Sequence, residues 1–67
     1  MKVGIIGSGG REHAICKFLN ISDKIDKIYC FPGNAGTKQI AENVEIDLEN
    51  FENIKNFTLN NKIDFLI

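Results

Sequence analysis

The chain has 67 residues, 43% of them hydrophobic, with 8 Lys or Arg against 9 Asp or Glu for a net charge of −1. That length permits one small domain of marginal stability, because only about 60% of the unfolded surface is buried at this size. The balanced charge leaves no basic footprint for nucleic acid, and neither a signal peptide nor an apolar run near 18 residues is present, which points to a soluble, cytosolic protein without membrane contact.

Val3 to Ile6 reads as a first strand, apolar on both faces as befits the centre of a parallel sheet. Gly7-Ser8-Gly9-Gly10 interrupts it, and Arg11 to Asn20 follows as a helix with Ala14, Ile15, Phe18 and Leu19 on its apolar face. Glu12 in the first turn and Lys17 near the end suit the helix dipole. Lys27 to Phe31 is a second strand rich in β-formers, and Pro32-Gly33-Asn34-Ala35-Gly36-Thr37 is a loop. Lys38 to Glu42 is expected to make one helical turn and Asn43 to Ile46 a short third strand. Asp47 to Asn50 offers caps for a second helix with a stripe of Phe51, Ile54, Phe57 and Thr58 or Leu59. Asn60-Asn61 ends it, and Ile63 to Ile67 begins another strand. Cys16 and Cys30 fall in apolar patterns and are expected as buried thiols. With a single histidine they write no zinc site.

The order β-α-β-(short β)-α-β predicts an α/β fold with a Rossmann-like open parallel sheet and right-handed crossovers. A strand, a glycine turn and a helix start together make an anion site, because backbone N–H groups and the helix dipole face the ligand. A phosphate-bearing ligand is therefore expected near Gly9 to Glu12. The second glycine loop leaves its strand at the same carboxyl end, so both loops should border one crevice. Gly33 and Gly36 both allow positive φ and close backbone approach, and Asn34 and Thr37 offer side-chain hydrogen bonds.

Known phosphate motifs fit incompletely. A dinucleotide fingerprint needs G-x-G-x-x-G and an acid about 20 residues on. Gly7 and Gly9 comply, but the third glycine position is Glu12 and the second strand ends Cys30-Phe31-Pro32. No lysine completes a Walker A loop, Ser8 lies in no nucleophile elbow, and His13 alone supports no Ser-His-Asp set.

Three stretches, Gly7-Ser8-Gly9-Gly10-Arg11-Glu12-His13-Ala14, Pro32-Gly33-Asn34-Ala35-Gly36-Thr37, and Ala41-Glu42-Asn43-Val44 with Ile46-Asp47, resemble the start of the phosphoribosylamine–glycine ligase family. The resemblance spans the whole chain but only the first part of the family protein. It implies that residues 1–67 are part of an amino-terminal, pre-ATP-grasp domain that helps bind the phosphoribosyl substrate. The parent ligase would join phosphoribosylamine to glycine with ATP and Mg²⁺ (or Mn²⁺) in purine synthesis, through a glycyl phosphate. Its ATP-grasp and carboxyl-terminal regions would lie outside this chain, so the 67 residues alone are expected to bind no cofactor and to be inactive. Carried over by position, Gly9, Gly10, Arg11 and Glu12 match the first substrate loop, with N–H groups of Gly9 to Arg11 on an anionic group. Arg11 would add charge-assisted bonds to phosphate, and Glu12 would accept from a ribose hydroxyl or the amine. Asn34 and Gly36 match the second loop, and His13 is expected to pack.

Two other readings stand beside this one. A dinucleotide-binding domain of an oxidoreductase would bind NAD, and a free-standing phosphate-binding module would have no catalysis. The sequence stops within its last strand, which suggests a piece of a longer protein. The unfinished sheet edge and uncovered apolar faces are expected to promote self-association.

Overall fold

The computed structural model describes every residue from Met1 to Ile67. Strand β1 (Lys2–Gly7) leads to helix α1 (Gly10–Asn20), strand β2 (Lys27–Pro32), a single 3-10 turn (Thr37–Gln39), strand β3 (Glu42–Asn43), helix α2 (Phe51–Asn60) and strand β4 (Phe65–Leu66). All pairings are parallel, and the sheet order is β3-β2-β1-β4. The α/β, Rossmann-like architecture expected from the alternation is the one observed.

Parallel pairing demands apolar residues on both faces of the inner strands, and β2 supplies them by alternation. Ile28 and Cys30 join Ile5 and Cys16 in one core cluster, flanked by Ile15, Leu19, Ile25, Ile40 and Ala41. Tyr29 and Phe31 face the other way and join Ile63, with Val44, Ile46 and Phe57 packed against them. The Phe57 ring meets Tyr29 and Phe31 edge-on, at centroid distances of 5.3 and 5.4 Å. Such pairs each contribute about 0.5–1.5 kcal/mol beyond burial. Both cysteines are buried and free, as expected.

Helix α1 differs from its predicted face. Its inner stripe is Glu12, Ile15, Cys16 and Leu19, while Ala14 points outward and Phe18 is 75% exposed. The true stripe has i, i+3, i+4, i+7 spacing, about one residue's rotation (~100°) from the predicted one. The sequence pattern missed it because Glu12, a charged residue, is one of the inward positions. In α2, Asn50 caps as expected, its side chain accepting from the Glu52 N–H at 3.2 Å. Ile54, Phe57 and Thr58 face inward, but Phe51 and Leu59 lie 73% and 65% exposed.

The two short strands also shift. The third strand pairs at Glu42–Asn43, not Asn43 to Ile46. Val44 still donates to the Cys30 carbonyl at 2.8 Å. Val44 and Ile46 pack, partly buried, beside Tyr29 and Phe31. The last strand is Phe65–Leu66 rather than Ile63 to Ile67, because Ile63 N–H still closes α2 onto Thr58 and Lys62 turns the chain at φ 55°.

Candidate functional site at the carboxyl end of the sheet

β1 and β2 run in register from Lys2↔Lys27 to Gly7↔Pro32, so they end side by side. Both glycine loops therefore leave the same edge of the sheet. β1 lies between β2 and β4, where the strand order reverses, and such switch points open ligand crevices in α/β sheets.

The first loop is built around Glu12. Gly9 is the extended N-cap of α1, with φ −90° and ψ −178°. Its N–H donates to Glu12 Oε2 at 3.0 Å, while Arg11 Nη2 lies 3.3 Å from Glu12 Oε1. The Glu12 side chain is only 13% exposed, and Arg11 is 86% exposed. The backbone N–H of Glu12 itself is the largest influence on its carboxyl and, with lesser help from the Gly9 N–H and the Arg11 guanidinium, outweighs desolvation to hold it below the usual carboxylate range. Gly7 adopts φ 137°, and a Cβ there would come within 2.6 Å of Glu12 Cγ. Glu12 thus fills the place where a dinucleotide loop needs its third glycine, and a pyrophosphate arriving there meets a carboxylate. The Gly9 N–H is already engaged, which leaves Gly10, Arg11 and the guanidinium as the outward donors. A cavity of about 260 Å³ beside this loop is lined by Ile5, Ile6, Arg11, Glu12, Ile15 and Ile67.

The second loop is a closed hydrogen-bond ring. Asn34 N–H donates to Thr37 Oγ1 at 2.8 Å, Thr37 N–H to Asn34 Oδ1 at 3.0 Å, and Asn43 Nδ2 to the Asn34 carbonyl at 2.8 Å. Thr37 Oγ1 lies 2.8 Å from Asn43 Oδ1 and 3.0 Å from the Asn34 carbonyl. A hydroxyl has one hydrogen, and Asn43 already serves the carbonyl, so the Asn43 oxygen takes it. Thr37 is fully buried at the centre. Gly33 sits at φ 76°, where a Cβ would meet Asn43 Oδ1 at 2.2 Å. Gly36, by contrast, is right-handed at φ −69°. Its lack of a side chain gives room to His13, whose Cε1 would lie 2.4 Å from a Cβ there. Only one of the two glycines therefore serves positive φ, and the other serves close approach.

The loops are joined. Asn34 Nδ2 reaches across to the Ser8 and Gly9 carbonyls at 2.8 and 3.2 Å. Gly9, Gly10, Arg11, Glu12, Asn34 and Gly36 thus come to one end of the sheet. The part played by Asn43 was not legible beforehand. Its signals were its place in the Ala41-Glu42-Asn43-Val44 stretch and an asparagine, a poor strand former, at a strand position.

The chain matches the sequence model of the family described as "Phosphoribosylglycinamide synthetase, N domain" over residues 1–67. It is 57% identical over its whole length to a phosphoribosylamine–glycine ligase of Caldanaerobacter subterraneus subsp. tengcongensis and 45% identical to that of Fusobacterium nucleatum. The chain spans 16% of the length of each of these relatives. The crystal structure of phosphoribosylamine–glycine ligase from Thermotoga maritima superposes with a TM-score of 0.65 at 38% identity, over 79% of this chain and 13% of that one.

Proposed function

The chain belongs to the phosphoribosylglycinamide synthetase N-domain family, and from that membership we propose that it forms part of the phosphoribosyl-binding domain of a phosphoribosylamine–glycine ligase. In the full-length protein, glycine and phosphoribosylamine would condense to glycinamide ribonucleotide as ATP is cleaved to ADP and phosphate. The glycine carboxylate oxygen leaves with that phosphate. The reading is carried by one observation, the paired glycine loops joined by Asn34 at the switch point of a parallel sheet.

This chain's own residues bind and orient. The N–H groups of Gly10 and Arg11 and the exposed guanidinium receive the phosphate, using the positive end of α1. Glu12, ionised and fixed, accepts from a ribose hydroxyl or the substrate amine. Gly9, Asn34 and Gly36 complete the rim. No three His, Cys, Asp or Glu side chains converge anywhere in the chain. From the family resemblance we assign ATP and Mg²⁺ (or Mn²⁺) to an ATP-grasp region of the full-length protein. Its purine-biosynthetic relatives suggest a cytoplasmic location. No helix here is long and apolar enough to cross a membrane.

The test is an end-point assay with phosphoribosylamine, glycine and ATP. The full-length protein is expected to yield glycinamide ribonucleotide and ADP in equal amounts, and residues 1–67 alone to yield none. Turnover by the isolated 67-residue chain, or none by the full-length protein, refutes the proposal.

A further inference from the structure

We propose that Asn34 is a positioning residue that aims the anion-binding peptides of the first loop and does not itself touch the ligand. The inference rests on the functional reading above. An asparagine side chain has two N–H donors and one acceptor oxygen. Here both kinds of group are in use, the amide nitrogen on the Ser8 and Gly9 carbonyls and Oδ1 on the Thr37 N–H.

The consequence follows from peptide geometry. In a planar trans peptide the C=O and the next N–H point in opposite directions. Holding the Ser8 carbonyl toward the second loop therefore turns the Gly9 N–H away from it, and the Gly9 carbonyl, shared between Asn34 and the His13 N–H of α1 at 3.2 Å each, directs the Gly10 N–H out of the helix start. The Gly9 N–H does point away, to Glu12. A Gly9-Gly10 pair has wide conformational freedom when unrestrained; the Asn34 amide restrains the Ser8–Gly9 peptide and adds to the hold that α1 itself has on the Gly9–Gly10 peptide. The amide is itself held by the buried ring of Thr37 and Asn43. The ring therefore fixes the direction of N–H groups in the first loop, with Asn34 as the link.

Three variants of the full-length ligase test this by steady-state kinetics. Asn34→Asp keeps the acceptor for Thr37 but removes both donors and sets a negative charge against two carbonyls. We expect KM for phosphoribosylamine to rise about tenfold or more, since small misplacements of binding groups are costly. KM for ATP should stay within about twofold and kcat should fall less than about threefold. Thr37→Val disturbs the ring from a fully buried position that cannot reach a ligand, and it should raise the same KM. KM does not depend on the fraction of enzyme folded, so partial unfolding cannot imitate the effect. An effect of Asn34→Asp without one of Thr37→Val overturns the proposal, because Asn34 then acts by direct contact. So does a lowered kcat with unchanged KM, which marks a merely structural role. Arg11→Ala separates the two readings. If it raises KM for phosphoribosylamine while Asn34→Asp does not, the positioning role fails and the functional reading survives.

Discussion

Replacing Gly33 by Ala attacks the second loop at its most constrained point. Two costs add. A left-handed backbone costs a residue with a Cβ roughly 1–2 kcal/mol, and Gly33 sits at φ 76°. The new methyl would also stand 2.2 Å from Asn43 Oδ1 and 2.7 Å from Thr37 Oγ1. Crowding of this kind costs about 1–3 kcal/mol, which brings the expected total to about 2–5 kcal/mol. The full stability of a domain this size is about 3–10 kcal/mol, so the loop should open long before the sheet does. Native-state hydrogen exchange on the full-length protein reads this directly. Amides at Asn34, Thr37 and Val44 should exchange about 30-fold to several-thousand-fold faster in Gly33→Ala than in the parent. Gly10→Ala is the matched control, since a Cβ there meets nothing within 4 Å and its φ is not positive. A change of less than about threefold in Gly33→Ala would refute the assigned strain and the ring that depends on it.

Phe31 is fully buried and Phe18 is 75% exposed, so Phe31→Ala should cost about 3–5 kcal/mol and Phe18→Ala no more than about 0.5. Chemical denaturation followed by circular dichroism separates them. Glu12 titrates below its ordinary value when folded, so its contribution is present above the unfolded pKa and is lost as pH falls through the lower folded one. Glu12→Gln should therefore flatten the loss of stability below about pH 4.5, checked by denaturant midpoints across an acid series. Burial, then the neighbouring Cys30, pushes the Cys16 thiol up to about 11. The folded state keeps its proton longer than the unfolded chain, so stability should fall as pH rises from about 9 toward 11 and less so in Cys16→Ala. The same shift leaves Cys16 unreactive to iodoacetamide near neutrality until the protein is denatured, which mass spectrometry of the alkylated chain would show.

Much of the fold is legible in the sequence. Local signals carry it: a doubly apolar Val3–Ile6, glycines at strand ends, the Asn50 cap and the alternation of β2 in Ile28-Tyr29-Cys30-Phe31. Each depends on residues within one turn or one strand, so the chain encodes it directly. Hence the parallel α/β order and the meeting of two glycine loops at one end followed from the sequence alone. The rest depended on contacts between residues distant in the chain. Glu12 turns inward because a glycine with positive φ makes room for its carboxylate, which accepts from the Gly9 N–H, and no hydrophobic pattern registers a half-buried charge. The third strand pairs only at Glu42–Asn43, although Val44 and Ile46 still pack beside Tyr29 and Phe31. Above all, Asn34 appeared in the sequence as a free polar side chain at the rim. Only when β1 and β2 stand in register do Ser8 and Gly9 come within reach of its amide. Hydrogen-bond partners 25 and 26 residues apart are set by the pairing of strands, and that pairing exists only in the tertiary structure.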